Sequence, residues 1–362
     1  MKPRHRAILR ELLAQPTAPF AESAVVEVVR RWADRRGVCF RRDRAGNVLL
    51  HHERRGSSAG GHWLFAAHMD HPGFIACRQR GRDLWAEFRG GMARRYFRGG
   101  RVRFFSPEGE VLAEVRSVAK AADGPWLACR LRLGRAAEVP AGTVGMWDLP
   151  AMAVAGKVLS SRACDDVVGT AAVICAVDEI VSRPLPVRVT ALLTRAEEAA
   201  FVGCLAACRL GSIPRDAFIV AVETSAAQPA APLGSGVVVR VGDKTRTFDP
   251  SLTAHISAVA AELAKRDRRF GFNRQLMPGG TCESTAYAIF GHAAAGLCVP
   301  LGNYHNQGPR GRVAPEKVHT DDFSSLVKLL VAVALERRRP EQTDAALKRR
   351  LAGLLRARGK YL

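Results

Sequence analysis

The sequence predicts an α/β protein, a mixed sheet flanked by helices, with a small β domain inserted into it. Three observations lead there. Strand-length apolar runs alternate with helically spaced apolar residues in both the first and the last thirds of the chain. Between about residues 78 and 154 the texture changes to short alternating runs separated by Gly- and Pro-bearing turns. Four of the strand-like runs also end in a residue that can ligate a metal.

Taken in order, residues 6–36 read as helical. Ile8, Leu12 and Leu13, then Val25, Val26, Val28 and Val29, fall at helical spacing around a break near Pro16 and Pro19. Short strands follow at 38–40 and 47–50, around an Arg44-Ala45-Gly46 turn, and at 63–67. The middle of the chain holds alternating runs at 84–88, 101–105, 111–115 and 126–133, with turns such as Pro107-Glu108-Gly109. After Lys157 the pattern returns to helix 167–181, strand 187–193, helix 199–210, strands 217–222 and 236–241, helix 251–265, strand 296–300 and helix 321–336. The expected domains are therefore a discontinuous catalytic unit, 1–73 with 158–340, and an inserted β-rich unit, 74–157. Residues 341–362 form a basic helical tail with Leu347, Leu351, Leu354 and Leu355 on one side. Its expected use is docking on its own domain or a neighbouring subunit rather than on a membrane or nucleic acid.

Composition narrows the class. A hydrophobic content of 48% and a charged content of 25% are those of a globular chain, and 362 residues can bury a large core. No apolar run approaches the ~20 residues that span a bilayer. The basic start, Met1 to Arg6, lacks the apolar core of a secretory signal. Nine scattered cysteines without a CxxC pair suit a reducing compartment, so the expected location is the cytoplasm with no membrane partner. The net charge of +21 comes mostly from arginine, densest at 30–55, 78–103 and 337–360. No aromatic-interleaved basic motif or zinc finger accompanies it, so the charge reads as solvated faces rather than a nucleic-acid site.

The chemistry lies at the strand ends. Run 63–67 leads into His68; 187–193 leads through Thr194-Arg195-Ala196 into Glu197-Glu198; 217–222 leads into Glu223; 296–300 leads to His305. A fifth segment places Asp165-Asp166 before an apolar helix. Parallel strands would bring four of these ends to one edge, where open α/β sheets bind ligands. Asp70, two residues beyond His68, points the same way in extended chain and could fix the ring's tautomer. Each element has an ordinary alternative: a packed loop histidine, an N-cap with first-turn charge, a solvated helix start. The conjunction outweighs these alternatives. Two histidines and several carboxylates, with no cysteine among them, are the donor set of a hard or borderline divalent cation.

In this order His68-Met69-Asp70, Asp165-Asp166-x-x-Gly169, Glu197-Glu198, Glu223, Gly279-Gly280-Thr281 and Tyr304-His305 resemble the M42 family of metallo-aminopeptidases, the glutamyl and tetrahedral aminopeptidase group, within the dinuclear zinc exopeptidase clan. Gly46-Asn47-Val48 and Val318-His319-Thr320-Asp321 extend the resemblance across nearly the whole chain, from about Ile8 to Glu336. It implies a dinuclear zinc exopeptidase-like catalytic domain that removes N-terminal residues from peptides. Two divalent ions are implied, zinc foremost, with cobalt or manganese as alternatives. Asp165 would bridge them, His68 and Glu223 would complete one site, and Glu198 and His305 the other. Glu197 would be the general base and Asp70 would orient His68. The β insertion would be a lid and assembly domain, and the protein a homo-oligomer.

The chain also departs from the family pattern. His71-Pro72 stands where an acid is usual, Glu223 where an aspartate is usual, and Cys282-Glu283-Ser284 follows Gly-Gly-Thr where an aspartate is usual. These changes leave the preferred N-terminal residue, the native metal and the subunit number open. They motivate a rival, a related dinuclear hydrolase such as a carboxypeptidase or an N-acyl amino-acid deacylase. A second rival is a non-enzymatic basic scaffold for nucleic acid.

Overall fold

The computed structural model describes residues 1–54, 56 and 60–362; Arg55, the end of the first arginine-dense stretch, lies outside the described residues. Two helices open the chain, α1 (Pro3–Leu13) and α2 (Ser23–Arg36). Helix α2 stops at Gly37, whose φ of 63° suits glycine as a left-handed C-cap. Strands β1 (Cys39–Arg42) and β2 (Val48–Glu53) form a hairpin, and β3 (His62–His68) is buried along its whole length.

The chain then leaves the sheet. Strands β4 (Gly73–Arg80), β5 (Asp83–Arg89), β6 (Arg101–Ser106), β7 (Gly109–Lys120), β8 (Leu127–Leu133) and β9 (Val144–Trp147) close into a barrel in the order β4-β5-β8-β7-β6-β9. Inward residues alternate with outward ones, as the period of 2 requires. Aromatic rings fill the interior: Phe74 meets Phe88 and Trp147 with centroids 4.9 Å apart, and Phe88 meets Phe97 at 4.8 Å, all edge to face.

Strands β10 (Ala153–Ala155) and β11 (Val158–Ser161) lead back. Helix α3 (Val167–Val181) is apolar nearly all round and correspondingly buried, packed against α1 and β3. The rest of the chain supplies β12 (Arg188–Thr194), α4 (Val202–Leu210), β13 (Ala217–Ala226), β14 (Val237–Gly242), α5 (Pro250–Arg266), β15 (Phe272–Leu276), α6 (Glu283–Ile289), β16 (Ala294–Leu301), β17 (Glu316–His319), α7 (Thr320–Leu335) and α8 (Pro340–Arg358).

The main sheet has eight strands in the order β1-β2-β12-β3-β13-β16-β14-β15, with helices on its faces. The expected mixed sheet is present. Strands β12, β3, β13 and β16 are mutually parallel, while β2 and β14 join them antiparallel on either side. The four parallel strands are the four whose ends carry ligand-type residues, so those ends share one edge.

Two expectations change. The helix expected over 199–210 begins at Val202, because Ala196, Ala200 and Phe201 take left-handed φ values of 48°, 68° and 60°. Glu197 and Glu198 therefore sit in a separate 3-10 turn, not on a helix face. The tail helix α8 is tied to α5 by Thr343 to His255 (2.8 Å) and by Asp344 to Ser251, yet none of residues 341–362 is buried. Its leucine face does not dock on its own domain. Among the described residues no helix is long and apolar enough to cross a membrane.

Candidate active site

His68 ends β3, and its Nε2 lies 3.4 Å from Asp165 Oδ1, 3.8 Å from Glu197 Oε2 and 3.9 Å from Glu223 Oε2. On the far side of Asp165, its Oδ2 lies 3.6 Å from His305 Nε2, which is 3.0 Å from Glu198 Oε1. Asp165 thus presents one oxygen to each histidine. The structure brings together His68, Asp165, Glu197, Glu198, Glu223 and His305, from five separate segments. His68, Asp165 and Glu198 each offer a ligand atom within 4.8 Å of the others.

Asp70 acts through two groups. Its carbonyl oxygen is 3.1 Å from His68 Nδ1, with its Oδ1 further off at 3.4 Å. Its carboxylate accepts the backbone N–H of Glu197 (2.9 Å) and of Glu198 (3.1 Å). Its carbonyl stands where the ring's Nδ1–H can donate, and its carboxylate anchors the turn that carries the two glutamates. His305 is set from the barrel: its Nδ1 donates to the Gly91 carbonyl. With Nδ1 committed in this way, each ring turns a free Nε2 towards Asp165.

The local sequence explains the placement. A Cβ on Gly169 would lie 2.1 Å from Asp166 Oδ2, so the Asp165-Asp166-x-x-Gly169 spacing lets the helix start beneath the second carboxylate. Both Asp166 oxygens are buried without a hydrogen-bond partner among the described residues, and burial pushes its carboxyl well above the usual range.

The electrostatics fit a cation. Burial raises Glu197 well above the usual carboxylate range, and Glu223 and Glu198 add to this against the pull of His68. Burial likewise raises Glu223 to about 8. The histidines move the other way from what burial alone would do. Glu197, Asp165 and Asp70 outweigh burial and raise His68 well above its usual value, and Glu198 with Asp165 raises His305 to about 9. Protons are held where the excess of carboxylate charge is greatest. His305 Nε2 is buried and, though 3.0 Å from Glu198 Oε1, has no hydrogen bond of acceptable alignment among the described residues. The donor set and its surplus negative charge suit divalent cations with N/O ligands.

Several contributors were not singled out from sequence as parts of the site. Glu316, wholly buried at the start of β17, accepts the backbone N–H groups of Cys164 (2.7 Å) and Asp165 (3.0 Å) on Oε2, and that of His305 (2.8 Å) on Oε1. His71, whose presence was unexplained, spans from the Asp165 carbonyl to Asn306 Oδ1 (3.0 Å). Asp243 accepts the N–H of Cys282 (2.9 Å) and the Thr285 hydroxyl (2.7 Å), pinning the segment after Gly279-Gly280-Thr281. Arg240, 3% exposed, has a buried Nε with no hydrogen-bond partner among the described residues. Its only sequence signal is a cation inside the apolar run Val237-Val238-Val239.

These residues face a cavity of about 370 Å³ lined by His68, Asp165, Glu197, Glu223, Arg240 and the 277–282 segment. A cleft of this size, mostly apolar with a few convergent polar groups, has the character of a small-ligand site.

The profile of the M42 glutamyl aminopeptidase family matches residues 134–329. No curated protein matches the chain. Among solved structures, the TET1 peptidase of Pyrococcus horikoshii, described as assembling into a tetrahedron or a large octahedral shell, superimposes with a TM-score of 0.74 at 21% identity, covering 92% of this chain and 99% of that one. An aminopeptidase of the archaeon Desulfurococcus kamchatkensis gives 0.74 at 19% identity, covering 94% and 97%. A TET aminopeptidase of a marine sediment Thaumarchaeota archaeon gives 0.76 at 16% identity, covering 94% and 98%.

Proposed function

The chain belongs to the M42 glutamyl aminopeptidase family and is a metal-dependent aminopeptidase, and from that premise we propose that it works with two divalent ions, most readily zinc. Asp165 would bridge them, with His68 and Glu223 on one ion and Glu198 and His305 on the other. The observation that carries this reading is Asp165 itself, one oxygen turned to His68 and the other to His305. Ions held there would supply Lewis acidity and lower the pKa of a water from far above neutrality towards ~7.

The chain's own groups perform the rest. Glu197 takes a proton from the attacking water and returns it to the leaving amine; burial raises its proton affinity, which favours its taking up that proton. Asp70 holds the Glu197-Glu198 turn still during that exchange. The walls of the cavity exclude bulk water. Arg240 offers a buried guanidinium to the residue bound beside Glu223, and we read it as favouring an acidic N-terminal side chain.

The reading extends to the setting. The barrel acts as lid and assembly domain, supported by the Gly91 carbonyl reaching His305. The nine cysteines are free thiols, which suits a cytoplasmic protein. Substrates are peptides, and the protein is a homo-oligomer, as the Pyrococcus relative is.

The deciding experiment is Glu197→Gln assayed beside metal analysis. The expected result is a kcat lower by about 10²–10⁴-fold with ion content unchanged. Full activity in that variant would remove Glu197 as the base. A wild-type protein that binds no divalent ion would remove the two-ion site.

A further inference from the structure

Three of the segments that carry ligand-type residues meet at one buried carboxylate, and none of the roles assigned above explains why. Glu316 receives Cys164 and Asp165 N–H on one oxygen and His305 N–H on the other. The His68 segment joins through His71, three residues on, whose Nδ1 is 3.9 Å from Glu316 Oε2 and donates to the Asp165 carbonyl. Its Nε2 faces Asn306 Oδ1, which is oriented because Asn306 Nδ2 donates to the Ala314 carbonyl. Glu316 and His71 are 0% and 1% exposed.

The His305 segment needs such a brace. Asn303, His305 and Asn306 all take left-handed φ, of 58°, 52° and 58°, a region that disfavours side-chain-bearing residues. The run 302–306 holds that shape through contacts with 314–317: Gly302 and Lys317 exchange backbone hydrogen bonds of 2.8 and 3.0 Å, Asn303 Nδ2 donates to Pro315 O, and Ala314 N–H donates to Asn306 O. Glu316 is the point at which this returning strand also grips the Asp165 loop. Pairing of β11 with β17 sets Ser161 opposite Glu316, and the Glu316 carboxylate adds direct hydrogen bonds from that point to the Asp165 and His305 backbones.

We infer that Glu316, braced by His71, is a positioning residue that fixes the Asp165 and His305 segments against each other and thereby sets the affinity of the ion these two residues hold. The inference rests on reading Asp165 and His305 as ligands. Partners of this kind, one layer behind the ligands, alter metal affinity by about 10–100-fold when replaced. His71 also accounts for the odd His71-Pro72 dipeptide: its ring is long enough to reach both the Asp165 carbonyl and Asn306, which an aspartate could not do as a donor.

The test is Co²⁺ or Zn²⁺ titration of the metal-free full-length protein against a competing chelator, with the Co²⁺ absorption spectrum as a second readout. In Glu316→Gln the side chain keeps its shape but turns an amide N–H₂ towards at least one backbone N–H. The expected result is one ion bound about 10–100-fold more weakly, with an altered Co²⁺ band, and a smaller loss for the other, which shares Asp165 but not His305. Glu316→Asp keeps the charge but is one methylene shorter. It should recover the spectrum in part, and it serves as the readout if the glutamine variant does not fold. Folded variants with wild-type affinities and spectra for both ions would overturn the inference. Failure of the wild type to bind two ions would instead overturn the two-ion reading, so the two failures are distinguishable.

Discussion

At Asp70 a carbonyl oxygen and a carboxylate address different segments, the first the His68 ring and the second the Glu197-Glu198 backbone. An asparagine there could still accept one N–H but would face the other with its own. Asp70→Asn should therefore lower kcat/KM by about 10–100-fold with little change in folding. Steady-state kinetics beside a thermal melt check this, and wild-type kinetics would show that the turn does not depend on the carboxylate. Arg240 gives a second prediction at this scale. Glutamyl-p-nitroanilide should be preferred over leucyl-p-nitroanilide, and Arg240→Met should lower kcat/KM for the glutamyl substrate by about 10–100-fold while sparing the leucyl one. An unchanged ratio would assign the preference elsewhere. His68, Asp165, Glu198, Glu223 and His305 were legible in sequence because each sits just past an apolar run or before an apolar helix. Glu316 and Arg240 were not, since a lone Glu at the start of a short strand and a lone Arg in a strand look the same whether they are solvated or buried.

Among the elements, the parallel strands were readable because β3, β12, β13 and β16 are buried on both faces and so appear as continuous apolar runs. Strand β15, Phe272–Leu276, was missed because it lies at the sheet edge, where polar residues replace the apolar run. Helix α6 was missed because seven residues show too little periodicity to register. The start of α4 was misplaced because consecutive left-handed residues at Ala200 and Phe201 leave no mark in composition. Two predictions belong here. Phe88→Ala opens the aromatic core of the barrel and should cost about 3–5 kcal/mol by calorimetry. Removing residues 345–362 should leave the melting temperature of the protomer nearly unchanged, because none of them is buried.

Across the whole molecule, the excess charge and the buried carboxylates act at different ranges. Many arginines are paired at the surface, as Arg30 is with Glu27 and Asp34, and Arg338 with Glu262 and Glu336. Exposed pairs of this kind are screened by water and contribute little. The buried groups set a pH dependence. Burial raises Glu283 to about 7 and Glu223 to about 8, and neighbouring carboxylates raise His305 to about 9 against the effect of burial. Each binds its proton more tightly folded than unfolded, so its contribution to stability is complete at low pH and is lost as pH rises through the folded value. The metal-free protein should therefore lose thermal stability progressively from about pH 4.5, the unfolded glutamate value, up to about pH 9, the folded value of His305. Ion affinity should rise across the same interval, because the ligands shed the competing protons. Melting curves of chelated and ion-loaded protein at several pH values check both trends. A metal-free protein that grows more stable towards pH 9 would contradict them.

The sequence by itself determined that this is an α/β chain with a β insertion, and which residue types stand at the ends of its buried strands. Both follow from local periodicity, which burial imposes on every strand and helix. Tertiary structure alone decided that four strands are parallel and adjacent, that Asp165 turns an oxygen to each histidine, and that Glu316 and His71 join segments far apart in the chain. Those facts depend on which strands pair and on backbone angles at Ala200, Phe201 and His305, and no local pattern of side chains encodes them.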